Sequence, residues 1–336
     1  MSRESQGAPC QRARDECGLP ASIAIVGPTA TGKTALALAL ADRRDCHLIS
    51  CDAVQVFRHV EAATGKPRDE QRRHPWALID WVEPEQRVDL GRWVRAAEEQ
   101  LRIAQRAGLW PVIVGGTGLY LRGLVKGIAS APPRDAATRR RLEALAERRG
   151  TELLHRVLQR LDPASAARIT PRDRQRLVRA LEVRLLEGRA GLADRTWREP
   201  DRFPLLRIGL NLPRDRLYAR IDRRVDSFMR LGLVEEVRRL VEQRRLPHAA
   251  QVFKALGYRE TRRWLERGSD AAGLADLVVE IRRNTRRYAK RQLTWFRKEP
   301  DVVWFDAEQP GLVGRVEQLA LAWYGMDRRP RSRTEI

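Results

Sequence analysis

Short continuous apolar runs recur along the chain at Ser22–Val26, His47–Ser50, Trp110–Val114, Leu206–Leu212 and Val302–Phe305. Runs of this length, rich in Ile, Leu and Val and stopped by glycine or polar residues, predict strands buried on both faces. Helical patterns lie between them. Ala35–Ala41 is built of Ala and Leu, which are strong helix formers. Leu90, Trp93, Val94, Ala97, Leu101 and Ala104 recur at helical spacing and predict an amphipathic helix over Leu90–Gly108. Strands alternating with helices predict an α/β fold with a doubly wound parallel sheet.

The pattern changes after Ile128. Residues 129–200 show charged helical periodicity and little strand signal, between Pro132-Pro133 and Glu199-Pro200. They predict a helical insertion. Leu206–Leu212 returns the chain to the sheet, and long basic helices follow over Arg214–Gln243 and Leu274–Arg297. The expected organisation is therefore a core of residues 21–128 and 201–310, an insertion at 129–200, and two tails. The first tail, 1–20, is polar and charged and is expected to be disordered. The second, 327–336, is basic. Met1–Leu19 has no apolar stretch of the kind a signal peptide or anchor needs.

Composition changes the picture through its sign. Lys and Arg number 65 against 44 Asp and Glu, a net charge of +21. Such an excess suits a polyanionic partner, because nucleic-acid affinity comes largely from neutralised phosphates. An arginine-rich, GC-biased proteome yields the same excess, and the two explanations stay open on composition alone. An anionic membrane is a third partner, but no long apolar run supports it. Cys10, Cys17, Cys46 and Cys51 form no CxxC pair and stand near no histidine cluster. They read as reduced thiols of a cytoplasmic protein.

Candidate chemistry begins where the first strand ends. Gly27-Pro28-Thr29-Ala30-Thr31-Gly32-Lys33-Thr34 fits GxxxxGK(S/T), with a strand before it and a helix after it. The glycines let backbone N–H groups converge on phosphate oxygens, Lys33 adds a point charge, and the helix N-terminus adds a favourable dipole. The Thr34 hydroxyl is a candidate ligand for Mg²⁺. The predicted fold is thus P-loop NTPase-like, and ATP is its default tenant. Ligands of open α/β sheets bind beyond the carboxyl ends of the strands. Two further segments should reach that edge: Asp52-Ala53-Val54-Gln55 after the second strand, and Gly115-Gly116-Thr117-Gly118 after a later one. Asp52 is placed to bind Mg²⁺ or act as a general base, and Thr117 to donate to a phosphate or a nucleophile. Helix capping by Asp52 and plain turn chemistry at Thr117 are the structural alternatives.

At this point the chain resembles the tRNA dimethylallyltransferases, also called tRNA isopentenyltransferases, of bacterial type. GPTATGKT, ISCDAVQVF with TGKP, and VIVGGTGLY carry the likeness first. Gln175-Arg176-Leu177-Val178-Arg179-Ala180-Leu181-Glu182-Val183, Leu217-Tyr218-Ala219-Arg220-Ile221 with Arg224, and Gly232-Leu233 with Glu235-Glu236-Val237 continue it. Ala255-Leu256-Gly257-Tyr258-Arg259 and Lys290-Arg291-Gln292-Leu293-Thr294-Trp295-Phe296-Arg297 complete it, so the ordered blocks span about Ile23 to Phe305. The resemblance implies transfer of a dimethylallyl group from dimethylallyl diphosphate to N6 of adenosine 37, beside the anticodon. It implies Asp52 as the base, Thr117 as a transition-state contact, and Arg224 as a diphosphate ligand. It implies tRNA contacts from Asp52, Ala53, Val54 and Gln55, from Arg139, and from Gln175 through Arg179. Further tRNA contacts are implied from Lys254, Gly257, Tyr258, Arg259, Lys290, Arg291, Gln292, Trp295 and Arg297. The family is usually monomeric. Five positions depart from its pattern: Ala53 stands for Ser, Phe57 for Tyr, and Glu61-Ala62-Ala63 before Thr64 for Asp-Ile-Gly.

The resemblance gives the charge a use. Arg282, Arg283, Arg286, Arg287, Lys290 and Arg291 recur at three- and four-residue steps and predict one cationic stripe, with Ile281, Tyr288 and Trp295 facing inward. Phosphate contacts of this kind position RNA without reading its sequence. A base turned out of the stack needs an aromatic platform, for which Phe57 and Tyr258 are candidates. Three other functions use the same loop or charge. A small-molecule kinase would place ATP at Gly27–Thr34, an adenylate prenyltransferase would need no RNA-gripping surface, and a non-enzymatic RNA-binding module would leave Asp52 and Thr117 idle.

Overall fold

The structure, a computed structural model, describes residues 18–67, 73–128, 132, 134–188, 197, 201–248, 250–268 and 271–325. Residues 1–17 of the first tail, with Cys10 and Cys17, lie outside these, as does the tail at 327–336. The described residues fall into two compact units, those up to Val125 together with those from Asp201 onward, and those between Lys126 and Pro200.

The larger unit is built on a six-stranded sheet. Its strands are β1 (Ser22–Val26), β2 (Cys46–Cys51), β3 (Trp76–Ala77), β4 (Trp110–Gly115), β5 (Leu205–Asn211) and β6 (Val302–Asp306). Their order is β3-β2-β4-β1-β5-β6 and every pairing is parallel. Side chains of a strand alternate between faces. Ile23 and Ile25 accordingly join Leu48, Val112, Val114 and Ile208 in a core under α1 (Lys33–Ala41) and α12 (Leu312–Trp323). Ala24, Val26, Ile49 and Ile113 face the other way, toward α2 (Leu90–Arg106), α3 (Gly118–Lys126), α8 (Arg214–Arg230), α9 (Leu233–Glu242) and α11 (Ala271–Phe296). Both faces are covered, which is why the strands read as continuous apolar runs.

The basic stretch over Arg214–Gln243, expected as one helix, is two. The chain breaks at Gly232, which adopts φ 80°, ψ 39° and opens α9. The break sets Glu236 inside the protein, where its carboxylate accepts the Glu61 and Ala62 N–H groups at 2.9 and 3.0 Å and the Tyr258 hydroxyl at 2.7 Å. Tyr258, at the start of α10 (Tyr258–Glu266), is fully buried, and so is Phe57. Neither ring is available to stack on a base, and that expectation is corrected.

The smaller unit is helical: α4 (Ala136–Arg149), α5 (Thr151–Leu161), α6 (Pro163–Arg168) and α7 (Arg174–Glu187). Aspartates cap three of these helices, Asp135, Asp162 and Asp173 accepting from the N–H groups of Thr138, Ser165 and Arg176. Leu142, Leu154, Leu158, Leu177, Val178 and Leu181 form its core. Leu177 and Val178 were expected to touch tRNA, but their buried side chains hold these helices together. Glu182 is also fully buried and accepts from Arg179 at 2.8 Å and from the Asp135 N–H at 3.0 Å, with Arg139 at 3.7 Å. Removing one partner of a buried charge cluster costs about 3 kcal/mol. Glu182→Ala should therefore lower stability by about that amount, read as a shifted denaturation midpoint of the helical unit, while Glu143→Ala at the exposed end of Arg139 should change it little.

Candidate active site

β1, β4 and β2 are neighbours in the sheet, so the loops that follow them open on one edge. After β1 the chain turns through Gly27–Thr34 into α1. The Thr31 hydroxyl and Lys33 Nζ both donate to the Pro28 carbonyl, at 2.9 and 2.6 Å, and close the loop on itself. No side chain caps α1, so its first-turn amides stay open toward the cleft. Asp52 lies just past β2. Its Oδ1 accepts the N–H groups of Val54 at 2.8 Å and Gln55 at 3.3 Å, which fixes the carboxylate, and Oδ2 has no partner among the described residues. No helix begins here, so helix capping does not apply: Oδ1 closes a turn.

Thr117 follows β4. Its N–H donates to the Cys51 carbonyl at 3.2 Å, and its Oγ1 accepts the Ala53 N–H at 3.2 Å. Tyr288 of α11 lines the same cleft as Thr117, and burial, then the Asp52 charge, push its phenol well above the ordinary value. Burial likewise pushes the Cys51 thiol far up, aided by Asp52, so it is no nucleophile at neutral pH.

Arg224 enters from α8. Its guanidinium lies 5.4 Å above the Phe228 ring, and burial lowers its pKa while Asp52 opposes the shift. It reaches the cleft past Gly65, where a Cβ would lie 2.1 Å from Arg224 Nη2. Gln55 holds that turn: its Nε2 donates to the Thr64 and Gly65 carbonyls at 3.3 and 3.2 Å, and its Oε1 accepts from Ser50 at 2.8 Å. Its side chain is therefore committed to the protein. Burial, then repulsion from Arg224, lowers Lys33 to about 7, with Asp52 pulling the other way.

These groups line one cleft of about 630 Å³ with Thr29, Thr34, Ala53, Val54, Lys254 and Arg259. Arg291 and Gln292 line it from α11. Gln292 and Gly257, expected at the RNA surface, are buried, and Trp295 is packed under the Arg122 guanidinium at 4.3 Å. Lys290 and Arg297 are exposed. The predicted stripe divides: Arg282 and Arg286 pair with Asp226 and Asp222 of α8, whereas Arg283, Arg287, Lys290 and Arg291 face outward. In the helical unit Arg139 and Arg179 are engaged with Glu182, and Gln175 and Arg176 are exposed. The sequence did not single out Tyr288 as a site residue, although Tyr288, Arg291, Gln292 and Trp295 share a helical face at steps of three and four.

A glycine-rich loop on a doubly wound parallel sheet, with a fixed carboxylate and a half-buried guanidinium at its mouth, defines an α/β protein of the P-loop NTPase-like class. Within that class, the chain belongs to the tRNA dimethylallyltransferase family. The family described as IPP transferase matches residues 55–299, and that described as isopentenyl transferase matches residues 21–74. The tRNA dimethylallyltransferase of Syntrophobacter fumaroxidans is 42% identical over 301 residues, covering 88% of this chain and 86% of the relative. That of Thermomicrobium roseum is 42% identical over 292 residues, covering 86% and 87%. Among solved structures, the tRNA isopentenylpyrophosphate transferase of Bacillus halodurans aligns with a TM-score of 0.66 at 34% identity, over 91% of this chain and 97% of that one. A eukaryotic dimethylallyltransferase acting on tRNA shares the fold, with a TM-score of 0.75 at 23% identity over 93% and 81% of the two chains.

Lys33 supplies a pH test. Its folded pKa of about 7 lies below the unfolded value of 10.5, so the unfolded state binds more protons between them and the penalty for burying the charged amine is relieved as pH rises through that window. An anion in the loop favours the charged amine and reverses the shift. Inorganic diphosphate should therefore bind with net proton uptake at pH 8 and with little at pH 6. Calorimetry in buffers of different ionisation enthalpy reads the difference, and Lys33→Met should remove it.

Proposed function

We propose that this protein transfers a dimethylallyl group from dimethylallyl diphosphate to N6 of adenosine 37 of tRNA, giving N6-(dimethylallyl)adenosine and diphosphate. The observation that carries the reading is the convergence of the phosphate loop, Asp52, Thr117 and Arg224 on one cleft. In the reaction, the N6 nitrogen attacks the allylic carbon as the carbon–oxygen bond to diphosphate breaks. Asp52 takes the N6 proton through Oδ2, since Oδ1 is occupied by backbone. The loop amides, Lys33 and Arg224 stabilise the charge that leaves with diphosphate. Thr117, fixed by backbone on both sides, contacts the reacting centre.

Thr34 would hold a Mg²⁺ that offsets diphosphate charge. The described residues contain no group of three His, Cys, Asp or Glu placed to hold a metal, which suits an ion carried mainly on substrate phosphates and water. The helical unit grips the anticodon arm through Gln175, Arg176 and the Arg139 region. The outward cations of α11, together with Lys254, Arg259 and Arg297, track the RNA backbone. No helix among the described residues is long and apolar enough to cross a membrane. The protein acts as a monomer in the cytoplasm, where its RNA substrate is found.

The deciding experiment supplies labelled dimethylallyl diphosphate and, separately, labelled ATP, each with unmodified tRNA. Label should pass from the first into tRNA, and transfer only from ATP to a small molecule would replace this reading with a kinase. Asp52→Ala should lower transfer at least about a hundredfold while tRNA affinity changes less than about twofold. Arg283→Glu combined with Arg287→Glu should weaken tRNA binding and flatten its salt dependence by roughly one to two units of log–log slope. An unchanged slope would mark these two side chains as solvated surface.

A further inference from the structure

Gln292 joins two loops that lie far apart in the chain. Its side-chain Oε1 accepts the Thr29 N–H at 2.8 Å, and its Nε2 donates to the Gly116 carbonyl at 3.0 Å. Thr29 belongs to the phosphate loop, and Gly116 precedes Thr117. Among the described residues no other hydrogen bond joins these two loops. The approach is close: a Cβ on Gly116 would lie 2.0 Å from Gln292 Nε2. One helical turn on, Trp295 packs against Gly118, where a Cβ would lie 2.2 Å from its Nε1. The face of α11 with Tyr288, Gln292 and Trp295 therefore fits the floor of the cleft, while Lys290 beside it is exposed.

We propose that Gln292 is a positioning residue for the transfer. Its carboxamide fixes the spacing between the phosphate loop, which holds the leaving group, and the Thr117–Asp52 cluster, which holds the nucleophile and base. Because it rides on α11, it ties that spacing to the helix that offers Lys290 and Arg291 to RNA. An amide suits the task because one group must accept from an N–H and donate to a carbonyl together. The proposal rests on the prenyl-transfer reading, since only a displacement between two separately held partners needs this spacing. A misplacement of about 1 Å between reacting groups costs roughly a hundredfold in rate.

The test is Gln292→Leu, similar in size but unable to make either bond, assayed for transfer and for binding of tRNA and of inorganic diphosphate. With a melting temperature near that of the parent, kcat should fall at least about tenfold, diphosphate affinity should fall, and tRNA affinity should change less than about twofold. Gly116→Ala, which drives a Cβ into the amide, should lower kcat alone but add less than about threefold in a Gln292→Ala background, as expected for two residues acting through one contact. A folded Gln292→Leu protein with kcat within about threefold of the parent, or multiplicative losses in the double variant, overturns the proposal. If Gln292→Leu does not fold, Gln292→Asn, with the same amide one methylene shorter, decides it by the same limits. A parent protein that transfers no prenyl group sinks the functional reading instead. Diphosphate affinity then still reports whether the bridge shapes the loop, and an unchanged affinity overturns that part as well.

Discussion

The site depends on three parallel strands ending at one level. β2 and β4 pair with Cys51 opposite Gly115, and β4 pairs with β1 through Val114 and Ile25. That register brings the Thr117 N–H onto the Cys51 carbonyl, so the turn with the threonine and the turn with Asp52 are braced against each other. Side chains alternate in strands, so a slip of one residue would exchange the two faces of β4 and bury the wrong set. The apolar cores on both faces forbid such a slip, and packing far from the cleft thereby fixes its geometry.

Electrostatics in the cleft run against stability. Lys33 and Arg224 are both positive and both desolvated, and Asp52 is the carboxylate that offsets them. Both cations sit at a lowered pKa, through burial at each and, at Lys33, also through repulsion from Arg224. An anionic ligand removes that penalty, so the energy withheld from folding is returned on binding. Structural ion pairs elsewhere are arranged differently. Lys66, with a side chain 1% exposed, meets both Glu61 and Asp80, and the buried Glu182 meets two arginines.

The arginines of α11 show how one charge pattern serves two ends. Asp222 and Asp226 of α8 stand four residues apart, as do Arg286 and Arg282, and they pair in crossed order. The helices therefore run antiparallel, and Arg224, on the same helix as the two aspartates, is carried to the cleft. Arg286 also lies 5.1 Å over the Tyr218 ring, which Arg214 covers at the same distance. Two of the six cations that read as an RNA-binding stripe are thus a helix-packing device, and spacing alone cannot separate them from the other four because partners on another helix decide which cation is engaged.

The strands, most helices, the phosphate loop and the pair Asp52 and Thr117 were legible because each depends on local signals: apolar period, glycine placement and a motif of fixed spacing. The short β3 was missed, having two residues, and so were the helices α3, α10 and α12, the first two of nine residues each. The break at Gly232 was also missed, because one glycine inside a helical pattern does not announce that the chain must turn there. By itself the sequence determined which chemistry converges on the sheet's edge, since parallel strands force the loops after β1, β2 and β4 to one side. Only the tertiary structure decided which polar residues face that chemistry and which hold it in place. Tyr258, Gln55 and Gln292 share motifs with exposed residues, yet Tyr258 bonds to the buried Glu236 carboxylate, Gln55 to the Thr64 and Gly65 carbonyls of the next turn, and Gln292 to backbone 263 positions away. Burial and long-range pairing are properties of the packed chain, and no local pattern encodes them.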